Sequence, residues 1–205
     1  VIKDDKLVYE RYRGILPTEA ASVSAGSTLD SQATYGTRDK DSLATSWSTA
    51  KSFTSVMIAI AIEQGFIESL SKPAATYIDE WQGDDRATIT IRNLLDMRSG
   101  LPVACYDFVE QALSTCTSAA GSGGDLVFSE DQMSGCINRQ LAETNVSQPW
   151  YTYGPTWQSG YWLYSNCDTM VLGEIIFRSS GQDIQTFAEY NLFSKIGIAY
   201  CSIKP

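Results

Sequence analysis

A chain of 205 residues, 43% hydrophobic and 11% aromatic, can bury the core of one large domain or of a domain with an inserted subdomain. A net charge of −9 argues against nucleic acid or an anionic membrane surface as partner, because both call for basic patches. The longest unbroken apolar run, Val56 to Ile62, has seven residues, so no membrane span is expected, and the charged start VIKDDK is not that of a secretory signal.

The opening VIKDDKLVYERYRG reads as a hairpin, with KDDK as its polar turn and LVYERYR alternating between faces. Residues 14 to 46 are rich in Ser, Thr, Ala and Gly and read as loop with at most one short strand. A helix is predicted next, within SWSTAKSFTSVMIAIAIEQG. Phe53, Val56, Met57 and Ile60 keep helical spacing, and Ile58 and Ile62 make the far side apolar too. The pattern predicts burial nearly all round, with Ser48, Lys51, Ser52 and Ser55 on one narrow polar stripe and Gly65 as the stop. TITIRNLLDMRSGLP predicts a short helix capped by Thr90 and stopped by Gly100 and Pro102. The stretch from Pro102 to about Gly160 reads as loop-rich. Two more helices are predicted, about 167–179 with Gly181 as stop and about 184–193 with Asp183 as cap.

Histidine is absent, so a Ser-His-Asp triad, a Cys-His dyad and a histidine zinc site cannot be assembled from this chain alone. Five cysteines occur without a C-x-x-C pair, and Cys105 and Cys116 flank the short segment CYDFVEQALSTC. A local disulfide between them would suit a periplasmic or secreted protein; buried free thiols, compatible with the cytoplasm, are the other reading.

Lys51 is out of place by helix electrostatics, since a helix N-terminus carries partial positive charge and disfavours a cation. Its position three residues after Ser48 supplies a reason. Residues i and i+3 share a helix face, so the two side chains can meet. Burial and the dipole both disfavour an ammonium there, the direction required of a general base that activates a serine hydroxyl. The same dipole favours negative charge near Ser48, whose own N–H can serve in an oxyanion hole. Ser-x-x-Lys alone is weak: a helix-capping serine with a snorkelling lysine explains it as well. A second copy, Ser69 to Lys72 in ESLSKP, runs into Pro73, heads no apolar helix and reads as solvated loop. Tyr164, Ser165 and Asn166 fall just before a predicted buried helix, where a phenol and an amide can project into a cleft or merely cap a turn.

Taken together and in order, these segments resemble the serine β-lactamase and penicillin-binding-protein superfamily, and above all its class C-like branch of esterases and 6-aminohexanoate-oligomer hydrolases. VIKDDKLVYERY is similar to the first hairpin and STAKSFTSVMIAIAIEQGFI to the nucleophile helix. SLSKPAATYIDEW and ITIRNLLDMRSGLP match the stretches that follow. YSNCDTMVLGEIIFRSSGQDIQTFAEYNLF is similar to the Tyr-x-Asn motif and its two subsequent helices. The resemblance implies an α/β (α+β) fold: a sheet region and nucleophile helix over 1–65, an inserted, mainly helical and loop-rich subdomain over 66–160, and the Tyr-x-Asn motif with its helices over 161–205. It implies Ser48 as acylated nucleophile, Lys51 as base, Tyr164 as proton shuttle and Asn166 as substrate-positioning amide, with the first three converging. Neither cofactor nor metal is expected.

The superfamily's third motif, Lys/His-Thr/Ser-Gly, has no counterpart after Asn166. The expectation is therefore an N-terminal part of a longer protein, with an incomplete sheet and a cleft that another segment, copy or chain would complete. Two functions stay open: acyl transfer from small ester, amide or β-lactam substrates, and a catalytically incomplete or non-catalytic binding member of the same fold. Tyr106, Trp150, Tyr151, Tyr153 and Trp157 cluster in the middle of the chain. They would make a rim suited to apolar acyl or amide groups, or simply pack the loops.

Overall fold

The computed structural model describes residues 1–11, 39, 46–101, 104–107, 112–115, 130–139, 141, 147–148, 151–152, 162 and 164–198. Two compact units, Val1–Trp47 and Ser48–Pro205, divide the chain.

In the first unit β1 (Ile2–Lys3) and β2 (Lys6–Leu7) pair antiparallel, Ile2 opposite Leu7 and Lys3 opposite Lys6. Asp4 and Asp5 turn the chain with φ of 50° and 58°. A two-residue turn with both φ positive matches the twist of a hairpin, and Asp tolerates it better than most side chains. The predicted hairpin forms, but its ladder is short: past Leu7 the LVYERYR alternation is not strand over the described residues.

The second unit is built around helices. A 3-10 turn, Trp47–Thr49, runs directly into α1 (Ala50–Glu63). The buried residues of α1 are Thr54, Met57, Ile58 and Ala61, one stripe at helical spacing. Burial all round is thus corrected: Val56 is 44% exposed, and Phe53, Ile60 and Ile62 are only partly covered. Among the described residues α1 packs on two helices introduced below. Gly65, at φ 78°, ends the helix as expected.

Three 3-10 turns follow, Ala74–Thr76, Asp79–Trp81 and Asp85–Thr88, before α2 (Ile91–Leu95). Thr90 and Asn93 form a reciprocal capping box at the start of α2. Within 102–160, where loop was expected, β3 (Ala104–Asp107) pairs with β4 (Ala112–Thr115), α3 spans Gln132–Ile137, and β5 (Ser147–Gln148) pairs with β6 (Tyr151–Thr152). These elements are two to six residues long, too short to display a hydrophobic period. The three sheets among the described residues are two-stranded hairpins.

α4 (Asn166–Ser180) and α5 (Ile184–Asn191) match the two later predicted helices, with Ser165 and Asp183 as side-chain caps and Gly181 at φ 75° between them. α4 is the central element, in contact with α1, α2, α3 and α5. Its Val171, Leu172, Ile175 and Ile176 are at most 2% exposed and join Met57, Ile58, Trp81, Leu94 and Phe187 in one core. Gly173 permits the close approach of α5, since a Cβ there would lie 3.1 Å from Ile184 Cδ1.

Polar links fasten this core at its edges. The Arg86 guanidinium, 5% exposed, pairs with Asp84 at 2.7 Å and donates to the carbonyls of Ile137, Arg139 and Glu80. The Trp81 indole N–H donates to the same Ile137 carbonyl at 2.8 Å. A buried arginine with its donors satisfied is tolerable where an unpaired one is not. A disulfide joins Cys136 of α3 to Cys167 of α4, with Cα atoms 5.2 Å apart. The sequence reading did not single out this pair. Of the expected Cys105–Cys116 pair, Cys116 and the Cys105 side chain lie outside the described residues.

Asp168, near the start of α4, is 1% exposed. Ser99 Oγ donates to its Oδ1 at 2.7 Å, and its N–H donates to Ser165 Oγ at 3.2 Å. Oδ2 has no hydrogen-bond partner among the described residues. Burial pushes this carboxyl up to about 7, against the opposing pull of the Ser99 and Ser165 hydroxyls and the Arg139 charge.

Two expectations follow from these links. Removing the cross-link by Cys136→Ser and Cys167→Ser, which frees a 31-residue separation, should cost about 3–4 kcal/mol by loop entropy, read as the drop in urea-unfolding free energy. An unchanged free energy would mean that the bond constrains nothing. Asp168 is protonated more readily in the native state (about 7) than unfolded (about 3.9). The native state therefore binds the extra proton between those values, and stability is lost as pH rises through that window. Asp168→Asn, neutral throughout, should gain in Tm over the wild type from pH 4 to 7 and hold a constant margin above it. Parallel Tm–pH curves would show that Asp168 titrates normally.

Candidate active site

The 3-10 turn at Trp47–Thr49 delivers Ser48 to the N-terminal end of α1, and Lys51 is the second residue of that helix. The first turn carries no acidic residue, and Thr49 makes no side-chain cap. The backbone N–H groups of a first turn have no intrahelical acceptor, so this end can stabilise a negative oxygen. Ser48 is exposed and Lys51 half-buried. Lys51 Nζ donates to Ser48 Oγ at 3.3 Å, as their i, i+3 spacing on a helix allows.

Tyr164 arrives from the other end of the sequence, two residues ahead of α4. The packing of α4 on α1 brings it over the lysine, whose Nζ lies 5.1 Å from the centroid of the Tyr164 ring. The phenol faces both Ser48 and Lys51. Burial pushes the Tyr164 hydroxyl up, but the polar pull of Ser48 and Lys51 and the lysine charge together outweigh it, leaving the phenol below its ordinary range. A phenol so placed gives up a proton more easily than a free tyrosine and can pass it on.

Asn166 opens α4 two residues beyond Tyr164 and is half-buried. Tyr106 lies in β3 opposite Leu113; its side chain, like that of Tyr151 in β6, is outside the described residues, as are Trp150, Tyr153 and Trp157 altogether. The sequence reading passed over Trp162. It is 58% exposed, with its ring centroid 6.3 Å from that of Tyr164. The W-x-Y spacing was the available signal, since residues two apart in an extended segment share a side.

The second Ser-x-x-Lys is a different arrangement. Lys72 is ion-paired with Glu68, and the Ser69 hydroxyl is hydrogen-bonded with that of Ser71. The hydrogen bond and charge of Glu68 push Lys72 above its ordinary value, the wrong direction for a base at neutral pH. Among the described residues no group of three or more His, Cys, Asp or Glu side chains is arranged to hold a metal ion, and no helix is long and apolar enough to cross a membrane.

No curated protein gives a significant match to this chain. A family profile described as Beta-lactamase matches residues 1–205. That span takes in both the Ser48–Lys51 helix and the Tyr164–Asn166 turn, the two parts that meet in space, and so the chain belongs to the β-lactamase family, within the serine β-lactamase and penicillin-binding-protein-like superfamily.

Proposed function

We propose that this protein is a serine hydrolase that cleaves small esters or amides by acyl transfer through Ser48. The observation that carries the reading is the meeting of Ser48, Lys51 and Tyr164 at the open end of α1. In the first step Ser48 Oγ attacks the substrate carbonyl and its proton passes to Lys51 Nζ. The carbonyl oxygen becomes an oxyanion, stabilised by backbone N–H groups at the start of α1. Tyr164 relays the proton to the departing alcohol or amine, the bond to it breaks, and Ser48 is left acylated. Water then attacks the acyl-enzyme, giving the carboxylic acid and restoring the serine. Asn166 holds the substrate's polar group.

Esters and small amides rank ahead of β-lactams as substrates, and β-lactams ahead of cell-wall peptides. The exposed Trp162–Tyr164 pair supports this order, because it offers an apolar ledge to an acyl or leaving group. The Cys136–Cys167 bond supports an oxidising compartment, periplasmic or secreted. A non-catalytic binding member of the fold is the second reading, since the exposed Trp162–Tyr164 pair would serve binding as well as catalysis.

Covalent labelling separates the two. A fluorophosphonate or penicillin probe should add its mass to the peptide containing Ser48, and Ser48→Ala should abolish the adduct. Lys51→Ala should slow acylation by about 10²-fold or more, the usual scale for a lost general base. Labelling that persists in Ser48→Ala, or that maps to Ser69, would sink the assignment. A folded wild type that takes no label would favour the binding member.

A further inference from the structure

Asp168 is buried at a place where nothing in the proposed acyl transfer uses a carboxylate. Its oxygens are costly to bury, and one of them has no hydrogen-bond partner among the described residues. What the carboxyl touches suggests why it is kept. On one side it accepts from Ser99 Oγ at 2.7 Å. Ser99 sits in the turn after α2, between Met97 at φ 53° and Gly100 at φ 82°, and its Oγ also accepts the Leu101 N–H at 3.1 Å. On the other side the Asp168 N–H donates to Ser165 Oγ at 3.2 Å. Ser165 is the residue next to Tyr164. Asp168 therefore ties the turn at Ser99, 69 residues before it in sequence, to the point where the chain delivers Tyr164. Tyr164 itself is 41% exposed, so its place depends in part on the backbone behind it.

We infer that Asp168 is a positioning residue: through Ser99 and Ser165 it fixes the turn that sets the Tyr164 phenol over Ser48 and Lys51. The consequence for catalysis rests on the acyl-transfer reading; the placement of Tyr164 does not.

The test follows the Tyr164 phenol in the 205-residue chain by NMR of ring-labelled tyrosine, assigned with Tyr164→Phe. In the wild type Tyr164 should titrate below an ordinary tyrosine. In Asp168→Ala and in Ser99→Ala its titration should move up towards the ordinary value as the contacts with Ser48 and Lys51 loosen. The direction is diagnostic, because loss of a nearby negative charge would by itself move a phenol down. Asp168→Asn retains an acceptor for Ser99 and should show no upward move, since the lost charge by itself can only lower the Tyr164 titration. Fluorophosphonate labelling of Ser48 should slow by about 10-fold or more in Asp168→Ala, the scale of a misplaced catalytic group, and recover in Asp168→Asn. A folded Asp168→Ala chain with an unmoved Tyr164 titration would overturn the inference. Should Asp168→Ala not fold, Ser99→Ala decides in the same way. An asparagine variant as defective as the alanine one would overturn it too, since the Ser99 link would then not be what holds the turn. A wild type that takes no label at Ser48, but whose Tyr164 moves as described, would keep the positioning role and remove the acyl-transfer reading.

Discussion

The second unit of this protein depends on the burial of one helix. Val171, Leu172, Ile175 and Ile176 of α4 are almost wholly withdrawn from water, and α1, α2, α3 and α5 are the elements that cover them. Each such aliphatic side chain contributes about 1.5–3 kcal/mol on burial, before the entropy of ordering the chain is set against it. No other helix among the described residues contacts as many partners. α4 therefore decides where α1 lies, and with it the distance between the two halves of the candidate site. Because the N-terminal end of α4 and that of α1 are presented together, Tyr164 and Ser48 meet although 116 residues separate them in the chain.

Around that apolar centre the fastenings are polar or covalent, and they cluster on the segments that the core alone would leave loose. Arg86 and Trp81 share the Ile137 carbonyl and so hold the 3-10 turns to the end of α3. The Cys136–Cys167 bond holds the same helix to α4, one residue past Asn166. Ser99 and Asp168 hold the turn after α2 to α4 from another side. The Tyr164–Asn166 turn thus lies next to a disulfide and a buried hydrogen bond, while its own aromatic ring is left partly open to solvent. Rigid support behind an accessible functional group is the arrangement expected of a preorganised site.

The chemistry that the site can perform follows from local electrostatics. A lysine in the first turn of a helix is unfavourable in a protein that needs only stability. Here it donates to Ser48 and lies over Tyr164. The contrast with Ser69 and Lys72 shows that spacing alone does not create such a group. There the lysine finds Glu68, and the pairing stabilises the charged form. The same tetrapeptide pattern yields an ordinary surface ion pair in one context and a lysine directed at a serine in the other.

Local features of the sequence settled what depends on neighbours along the chain. The caps at Thr90 and Asp183, the stops at Gly65 and Gly181, the three longer helices and the Asp4-Asp5 turn were all legible, because each rests on backbone geometry or on a repeat within one element. The Ser48–Lys51 contact was legible for the same reason, being set by the pitch of a single helix. Tertiary structure decided the rest. Which face of α1 is buried could not be read from a helix apolar on every side; it depends on where α4 and α5 lie. α3 and the short hairpins carry too few residues to show a period. The Cys136–Cys167 pairing and the burial of Asp168 against Ser99 join residues 31 and 69 positions apart. Nothing in the local chemistry of either residue announces its partner, because such contacts exist only once helices have packed and brought distant parts of the chain within bonding distance.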